Sequence, residues 1–343
     1  MSLTITKAGL LDTLQDLGRA GYRHLGINPT GAMDQYSLQV ANLLVGNERE
    51  EACLELFFPA ATLSFEEDAL IAITGADMGA TMSGENLPVN KPIWIRKGSL
   101  LHFDHLKEGY CSYLAVRGGF DIPAWLGSRS THLRAGVGGW EGRTLKKGDQ
   151  IKFRKTIQCP VDWNKNHHHT LPFGAAPLRE ALPSDLVFAL RGPEWEELDD
   201  QSKELLSTSS FTITVPSDRM GFRLRGEQPL IRSTDRELVS TTVDFGTIQI
   251  LPNGQMVVLL ADHQTTGGYP RIAQVIKAHH HRLVQKRPGE QIRFKWVEYE
   301  ESVRSCISQE QNLRHLQIAC ILKLEEHCTH EPFRNQRISK PDH

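Results

Sequence analysis

The sequence of 343 residues lacks the features that mark several special classes of protein. Charge of one sign is not in excess, because 39 Lys and Arg residues balance 41 Asp and Glu residues. Nucleic-acid-binding proteins usually carry a basic excess or patch, so we expect no nucleic-acid partner. No apolar run approaches the roughly 20 residues of a membrane-spanning helix, and no basic region followed by an apolar stretch opens the chain. We therefore expect a cytoplasmic protein that binds no membrane.

Cysteine is sparse, with six residues scattered along the chain and no Cys-x-x-Cys pair. This spacing excludes a disulfide scaffold of the kind that stabilises small secreted domains. Cys320, His327, Cys328 and His330 are metal-ligand types, but their spacing fits no standard zinc pattern. Two runs of three histidines, at 167–169 and 279–281, are interpreted as solvated surface. We therefore predict no resident metal site.

Common catalytic signatures are also missing. The chain has no phosphate-binding Gly-x-x-x-x-Gly-Lys-Ser/Thr loop, no His-Glu-x-x-His and no Gly-x-Ser-x-Gly. Gly136, Gly138 and Gly139 do not complete a dinucleotide fingerprint, because residue 141 is Glu. No Met-Lys-Met segment offers a lysine for covalent biotin. The sequence therefore contains no complete, self-contained nucleotide site and no attached biotin.

Short β-branched segments bounded by Gly, Pro or Asn predict strands at 70–74, 211–215, 247–250 and 255–260. Few amphipathic helices are indicated. One is predicted to begin after Asp34, a good N-cap, and to end at Gly46. A second, short helix is predicted to start at Pro270. Many short strands with few helices favour a mainly β fold of the barrel or sandwich type.

An internal repeat indicates two related β domains. Three segments recur in the same order in both halves, as 21–23 and 221–223, 118–120 and 267–269, and 148–153 and 289–294. The last pair, GDQIKF and GEQIRF, is predicted to form the same closing strand in each half. A repeat this long indicates tandem domains and not a solenoid.

The predicted boundaries follow from this repeat and from changes in composition. We expect a first β domain at 1–155, with a helical insertion near 34–46, and a second β domain at 183–297. The polar, proline-punctuated segment 156–182 is interpreted as a linker. Residues 298–343 form a charged tail in which leucines and isoleucines between 313 and 324 indicate a possible helix.

Four polar segments punctuated by glycine are candidates for chemistry, at 15–22, 29–34, 217–223 and 261–270. Each places Asp, Arg or Gln beside glycines, which allow a ligand to approach the backbone closely. Residues 265–268, ahead of the predicted helix at Pro270, would present N–H groups to a phosphate or carboxylate. The alternative remains open that these Asp and Arg residues only hold loops together.

These segments carry a resemblance to a known family. The stretches TLQDLGRAGYRHLGINPTGAMD, YLAVRGGFDIPAWLGSRST, VPSDRMGFRLRG and LLADHQTTGGYPRIAQVI resemble the KipA family. This family is also called allophanate hydrolase subunit 2 or the biotin-dependent carboxyltransferase domain family. The resemblance runs from about Thr4 to about Val297 and omits the tail. It implies a mainly β fold with two tandem cyclophilin-like β-barrel domains and a few short helices.

The resemblance also implies a function. Bacterial members are mostly the C subunit of ATP-dependent 5-oxoprolinase. That enzyme opens 5-oxoproline to glutamate with two further components, a B subunit of the KipI type together with an A subunit. ATP, with magnesium, would then be a co-substrate. Two alternatives stay open, namely a carboxyltransferase module that works with a separate biotin enzyme and a KipA-like regulator that binds a KipI-like kinase inhibitor.

Candidate site residues come from the four segments. The predicted catalytic residues, which would stabilise charge, position water or hold magnesium, are Asp16, Arg19, Asp34, Asp218, Arg219 and Asp262. The predicted residues for binding the substrate or nucleotide are Gln15, Arg223, Gln264, Thr265, Thr266, Gly267, Gly268 and Tyr269. Because the set spans both β domains, we expect a member of a hetero-complex that is catalytically silent alone.

Overall fold

The structure is a computed structural model, and it describes residues 2–161, 163, 166–176, 182–234 and 236–327. The predicted mainly β class is confirmed. The strands of the first half are β1 (Ser2–Lys7), β2 (Thr13–Gln15), β3 (Cys53–Phe57), β4 (Thr62–Phe65), β5 (Ala69–Asp77), β6 (Ala80–Met82), β7 (Glu85–Asn86), β8 (Pro92–Ile95), β9 (Leu100–Phe103), β10 (Glu108–Val116), β11 (Gln150–Lys152) and β12 (His168–Thr170). These strands are called the first β unit.

The first β unit consists of two six-stranded sheets, in the orders β11-β1-β4-β9-β6-β7 and β12-β8-β5-β10-β3-β2. β12 lies within the predicted linker and extends the second sheet by pairing with β8. The second sheet is buried on both faces, since Leu70 and Ala72 of β5 face one core cluster and Ile71 and Ile73 the other. This two-residue alternation is what a strand between two packed layers requires.

The second half is a closed barrel of seven strands, in the order β13-β20-β17-β18-β15-β14-β21, with a separate two-stranded ladder of β16 and β19. These strands are called the second β unit. They are β13 (Leu186–Arg191), β14 (Phe211–Ile213), β15 (Gly221–Arg225), β16 (Thr241–Thr242), β17 (Thr247–Ile250), β18 (Met256–Leu259), β19 (Thr266–Gly267), β20 (Arg271–Val275) and β21 (Gln291–Trp296). Each of the four predicted strands overlaps an observed strand, namely β5, β14, β17 and β18, although β14 and β18 are shorter than predicted.

The repeated GDQIKF and GEQIRF segments form β11 and β21. β21 is the last strand of the second β unit, and β11 is the last strand of the first β unit before the additional β12. Each of them pairs with the first strand of its own unit. The pairing is antiparallel for β11 with β1 and parallel for β21 with β13. The two strands therefore have corresponding positions in their units but run in different directions relative to the first strand. The exact domain boundaries stay a prediction.

The described residues contain four α-helices, α1 (Gln35–Leu44), α2 (Asp200–Thr208), α3 (His280–Val284) and α4 (Tyr299–His327). The predicted helix after Asp34 is confirmed as α1. Asp34 is its N-cap, with Oδ1 accepting a hydrogen bond from the Ser37 N–H at 2.9 Å. Gly46 follows the helix with a φ of +72°, which suits glycine.

The helix predicted at Pro270 is wrong, because residues 271–275 form β20. Ile272, Ala273 and Val275 are buried in the barrel, and β20 pairs with both β13 and β17. Pro270 precedes the strand, where its missing N–H removes no ladder hydrogen bond. The sequence pattern correctly indicated an element that begins after Pro270, but this element is a strand and not a helix.

The helix suspected in the tail is α4, which packs against α1 of the first β unit. Glu310 of α4 accepts two hydrogen bonds from the Arg49 guanidinium, at 2.8 and 2.7 Å. Leu313, Cys320 and Leu324 of α4 are buried. Of the four tail residues with metal-ligand side chains, Cys328 and His330 lie outside the described residues.

Candidate functional site

The site is organised by residues 29–34, called the connector segment, which runs between the two β units. Thr30 has a φ of +53° and Gly31 a φ of +97°. A Cβ at Gly31 would lie 2.8 Å from the backbone nitrogen of Gly18, so only glycine fits there. This turn directs the Thr30 hydroxyl toward the buried Arg19 and the Gly31 carbonyl toward the buried Arg219.

Arg219 comes from the turn before β15 and crosses from the second β unit to the first. Its Nε donates to Oδ2 of Asp262 at 2.9 Å, and its Nη2 donates to Oδ1 at 3.1 Å. Nη2 also donates to the carbonyl of Gly31 at 2.7 Å, and Nη1 donates to Glu55. Burial acts to lower the pKa of Arg219, but the charges of Asp262 and Glu55 outweigh it, so the pKa is raised.

Glu55, in the middle of β3, joins this arginine to the connector segment. Its Oε2 accepts a hydrogen bond from the Met33 N–H at 2.8 Å and from the Tyr113 hydroxyl at 2.6 Å. Burial raises the pKa of Glu55, and Arg219 acts in the opposite direction. Arg219, Asp262, Glu55 and Tyr113 are called the Arg219 network below. It holds the two β units together with charged and polar groups in the interior.

Asp34 is a helix cap that also contacts the second β unit. Its N–H donates to the Tyr113 hydroxyl at 2.7 Å, and its Oδ2 accepts from the Ser37 hydroxyl at 2.6 Å. Gln285, which follows α3, donates to the same Oδ2 at 2.8 Å. The Asp34 carboxylate is therefore fully engaged in joining α1 to the barrel.

Asp16 lies in the first β unit and accepts four hydrogen bonds. Its Oδ1 accepts from the Gly18 N–H at 2.7 Å and from the hydroxyls of Ser128 and Ser130 at 2.7 and 2.5 Å. Its Oδ2 accepts from the Arg129 N–H at 2.5 Å. Neutral donors thus satisfy this carboxylate, and no arginine of the described chain forms a salt bridge with it.

Arg19 lies beside Asp16 and is 2% exposed. Its Nη1 donates to the Thr30 hydroxyl at 2.5 Å, and its Nη2 donates to the Ser130 carbonyl at 2.6 Å. Its guanidinium carbon lies 4.8 Å from the centroid of the Trp125 ring. Burial lowers the pKa of Arg19, against the opposing charges of Asp16 and Asp262. Among the described residues its Nε has no hydrogen-bond partner.

Of three further predicted residues, Asp218 and Arg223 lie outside this interior and Gln15 lies on β2 of the first β unit. Asp218 is exposed and accepts from the N–H groups of Met220 and Gly221, at 2.8 and 3.3 Å, within a turn. Arg223 is exposed on β15. Gln15 is buried and donates to the Thr131 carbonyl at 3.3 Å. The roles predicted for these three residues stay predictions.

The loop from Gln264 to Tyr269 differs from the expected helix N-terminus. Thr266 and Gly267 form β19, which pairs with β16. A Cβ at Gly267 would lie 2.7 Å from Nε2 of Gln249, so this glycine leaves room for a buried glutamine. Gly268 and Tyr269 are exposed. The predicted geometry, with N–H groups at the start of a helix, is therefore absent from this loop.

Sequence reasoning missed four residues of the interior, namely Glu55, Tyr113, His132 and Gln285. Glu55 had a detectable signal, because a charged residue lies in the middle of the apolar segment CLELF of β3. A buried carboxylate in a strand requires a partner. His132 and Gln285 had no local signal, since only the tertiary fold brings them near Asp262 and Asp34.

Two general properties of the described residues bear on function. No three His, Cys, Asp or Glu side chains within them are grouped so as to hold a metal ion. None of the helices in the same ranges combines the length and apolarity that a membrane crossing requires.

Comparison with known proteins shows the family to which the chain belongs. Residues 25–296 match the model of the carboxyltransferase domain, subdomains A and B, so the chain belongs to this family. The crystal structure of the Kluyveromyces lactis urea amidolyase superposes with a TM-score of 0.82 at 25% identity. The match covers 92% of this chain and 20% of that much longer protein.

Within this family, the chain is similar to two proteins of known name over most of their length. The chain is 38% identical to the C subunit of 5-oxoprolinase from Escherichia coli, over 92% of this chain and 97% of that protein. It is 36% identical to the C subunit of 5-oxoprolinase from Haemophilus influenzae, over 85% of this chain and 90% of that protein. The resemblance inferred from the sequence motifs is thus confirmed.

Proposed function

We propose that this chain is the C subunit of an ATP-dependent 5-oxoprolinase, which opens 5-oxo-L-proline to L-glutamate. The observation that carries the proposal is the 38% identity to the C subunit of a 5-oxoprolinase over nearly the full length of both chains. An isolated domain shared with a larger enzyme would match only part of its relative. The same chain spans just 20% of the urea amidolyase structure.

The chemistry fits an interior rich in polar groups. A five-membered lactam resists hydrolysis, and phosphorylation of its carbonyl oxygen by ATP would activate the ring toward water. Such a step develops negative charge, which fixed cations and N–H groups stabilise. Among the described residues, Arg19 and Arg219 are buried arginines, and both hydrogen-bond to the connector segment. Asp262 orients Arg219 through two hydrogen bonds.

The chain is proposed to act only with partners, which are the KipI-like B subunit together with the A subunit of 5-oxoprolinase. Its candidate residues come from both β units, and the sequence holds no complete phosphate-binding loop. A composite interior of this kind gains catalytic function when other chains supply the missing groups. ATP, with magnesium, and 5-oxoproline are therefore proposed as ligands of the assembled complex.

Reconstitution tests the proposal. The purified chain alone should show no ADP release that depends on 5-oxoproline, and addition of the B and A subunits should restore it together with glutamate. Asp262→Asn should lower turnover of the complex by about 100-fold, because the neutral amide no longer fixes Arg219. Arg225→Gln, a change at an exposed arginine of β15, is the matched control and should leave turnover unchanged.

Two results would count against the proposal. One is lactam-opening activity from the isolated chain, and the other is a stable complex of all three proteins without 5-oxoproline-dependent ADP release. Complex formation is measured by size-exclusion chromatography, and thermal unfolding of the Asp262→Asn chain is measured beside it. These controls separate loss of chemistry from loss of folding or assembly.

A second candidate function is transfer of a carboxyl group from a biotin-carrying partner. The superposition on urea amidolyase with a TM-score of 0.82 favours it. The two functions differ in the partner, because a carboxyltransferase module needs a biotinylated protein. ADP release with 5-oxoproline in the absence of any biotinylated protein, insensitive to added avidin, would exclude the second candidate.

A further inference from the structure

Arg19 is a buried cation that forms no salt bridge with a carboxylate among the described residues. The two groups that accept its hydrogen bonds, the Thr30 hydroxyl and the Ser130 carbonyl, are both neutral. An ionised group buried without a counter-ion is unfavourable, and proteins usually pair it with an opposite charge. Arg219 of the same interior follows that rule, because it contacts both Glu55 and Asp262.

Some unused hydrogen-bonding capacity lies at Arg19 and at the nearby His132. Its Nε and the Nδ1 of His132 are both buried without a partner among the described residues. His132 is 8% exposed and pairs with Val137, the residue before Gly138, which lies against the Arg19 guanidinium. A Cβ at Gly138 would lie 3.0 Å from Nη2 of Arg19, so this glycine gives the guanidinium its space.

Electrostatics near Arg19 favours a ligand with a single negative charge. Asp16 and Arg19 both hydrogen-bond to Ser130, Asp16 to its hydroxyl and Arg19 to its carbonyl. The charges of Asp16 and Asp262 both act to raise the pKa of Arg19. A phosphate group carries nearly two negative charges and would be repelled by these carboxylates more strongly than a monoanion. A carboxylate instead carries one negative charge, and its two oxygens lie in a plane that matches the planar N–H donors of an arginine.

The Trp125 turn separates Arg19 from solvent. Trp125 and Ser128 exchange backbone hydrogen bonds, at 2.8 and 3.2 Å, and close a tight turn. Leu126 within it has a φ of +52°, a strained value for a residue with a branched side chain. The turn lies at the surface, with Gly127 exposed, and the Trp125 ring covers the guanidinium. Displacing this turn would open a direct path to Arg19.

We propose that Arg19, with His132 beside it, binds the carboxylate of a small monoanionic substrate that enters when the Trp125 turn is displaced. The naming of this substrate as 5-oxo-L-proline rests on the proposed function. The ligand class follows from a buried cation whose hydrogen bonds go only to neutral oxygens, from its open N–H donor and from the charges of Asp16 and Asp262 nearby.

Isothermal titration of the full chain tests the proposal with a matched set of probes. 5-Oxo-L-proline carries the carboxylate, 2-pyrrolidinone is the same ring without it, and inorganic phosphate is the competing anion. The wild-type chain should bind 5-oxo-L-proline at least about 10-fold more tightly than 2-pyrrolidinone or phosphate. Arg19→Gln should weaken this binding by about 10-fold or more, and Arg225→Gln should leave it unchanged.

Arg19→Lys keeps the charge, loses the fork of donors and should bind with intermediate affinity. Far-UV circular dichroism and thermal unfolding establish that each variant is folded. Equal binding of 2-pyrrolidinone, undiminished binding by Arg19→Gln, preference for phosphate or no binding of 5-oxo-L-proline would each overturn the proposal.

Failure of this inference and failure of the proposed function give different results. If the reconstituted complex turns over 5-oxoproline equally well with Arg19→Gln, the function stands and the carboxylate site is excluded. If the complex is inactive but the chain binds 5-oxo-L-proline through Arg19, the carboxylate site stands and the proposed function fails.

Discussion

Arg219 and Arg19 are both buried, at 4% and 2% exposure, and both contact the connector segment, yet their surroundings differ. Arg219 lies between two carboxylates from different β units, and its pKa is raised. Arg19 contacts neutral oxygens and an aromatic ring, and burial lowers its pKa. The difference indicates that Arg219 mainly joins the two β units, while Arg19 retains capacity for a ligand.

The largest effect is expected at Arg219. Arg219→Met should lower the free energy of unfolding by about 3–5 kcal/mol, because it leaves Asp262 and Glu55 buried without their shared cation. Urea unfolding followed by circular dichroism measures the loss. Arg225→Met is the control, since Arg225 is exposed on the strand that follows Arg219, and it should change stability by less than about 0.5 kcal/mol.

If Arg219→Met lowers the free energy of unfolding by less than about 1 kcal/mol, the contrast between Arg219 and Arg19 fails. Such a result would mean that Asp262 and Glu55 become protonated or hydrated without loss of stability. The Arg219 network would then contribute little to joining the two β units. The triple change Arg219→Met, Glu55→Gln and Asp262→Asn sharpens the test. It should recover part of the lost stability, because no uncompensated charge stays buried.

A smaller effect is expected at Arg19. Arg19→Gln removes two hydrogen bonds to neutral oxygens but also removes an unpaired buried cation, so the two effects oppose each other. The free energy of unfolding without ligand should change by less than about 1.5 kcal/mol. A loss as large as that of Arg219→Met would show that Arg19 is equally structural and would remove the contrast between the two arginines.

A separate, pH-dependent effect is expected at His279, which lies outside both arginine sites. His279 is 2% exposed, so the interpretation of residues 279–281 as solvated surface is wrong for this histidine. Its Nδ1 accepts a hydrogen bond from the Phe188 N–H at 3.0 Å, and its ring stacks on Phe188 at 4.2 Å. Burial, aided by the charge of Arg282 and of neighbouring groups, lowers the pKa of His279 to about 3. The unfolded chain then binds a proton at higher pH than the folded chain does.

The stability due to neutral His279 is therefore fully present above about pH 6.5 and is lost as the pH falls toward about 3. Between pH 6.5 and 4.5 the loss should reach about 2 kcal/mol. His279→Gln keeps an acceptor for the Phe188 N–H and should reduce this pH dependence. Urea unfolding at several pH values measures the difference, and an identical pH dependence in both chains would contradict the prediction.

Much of the local structure could be predicted from the sequence. The strands at 70–74 and 247–250 and the helix capped by Asp34 follow from alternation and capping, which depend on neighbouring residues only. The error at Pro270 has the same origin. A proline suits the start of a helix and the position before a strand equally well, and only the neighbouring strands β13 and β17 decide between them.

Family membership was also readable from the sequence, because four long motifs in register carry it. The candidate residues Asp16, Arg19, Asp34, Arg219 and Asp262 were identified by their place in those motifs. Their individual surroundings were not. Asp218 looked as favourable as Asp262 in sequence, but the structure places Asp218 in an exposed turn and Asp262 in the buried Arg219 network.

The sequence by itself determined the mainly β class, the first helix and the segments that carry the polar site, because these depend on spacing within a few residues. Only the tertiary structure decided which charges meet. Glu55 and Arg219 are 164 positions apart along the chain, and Gln285 and Asp34 are 251 positions apart. Whether a buried arginine has a counter-ion depends on such distant pairs, and no local pattern records them.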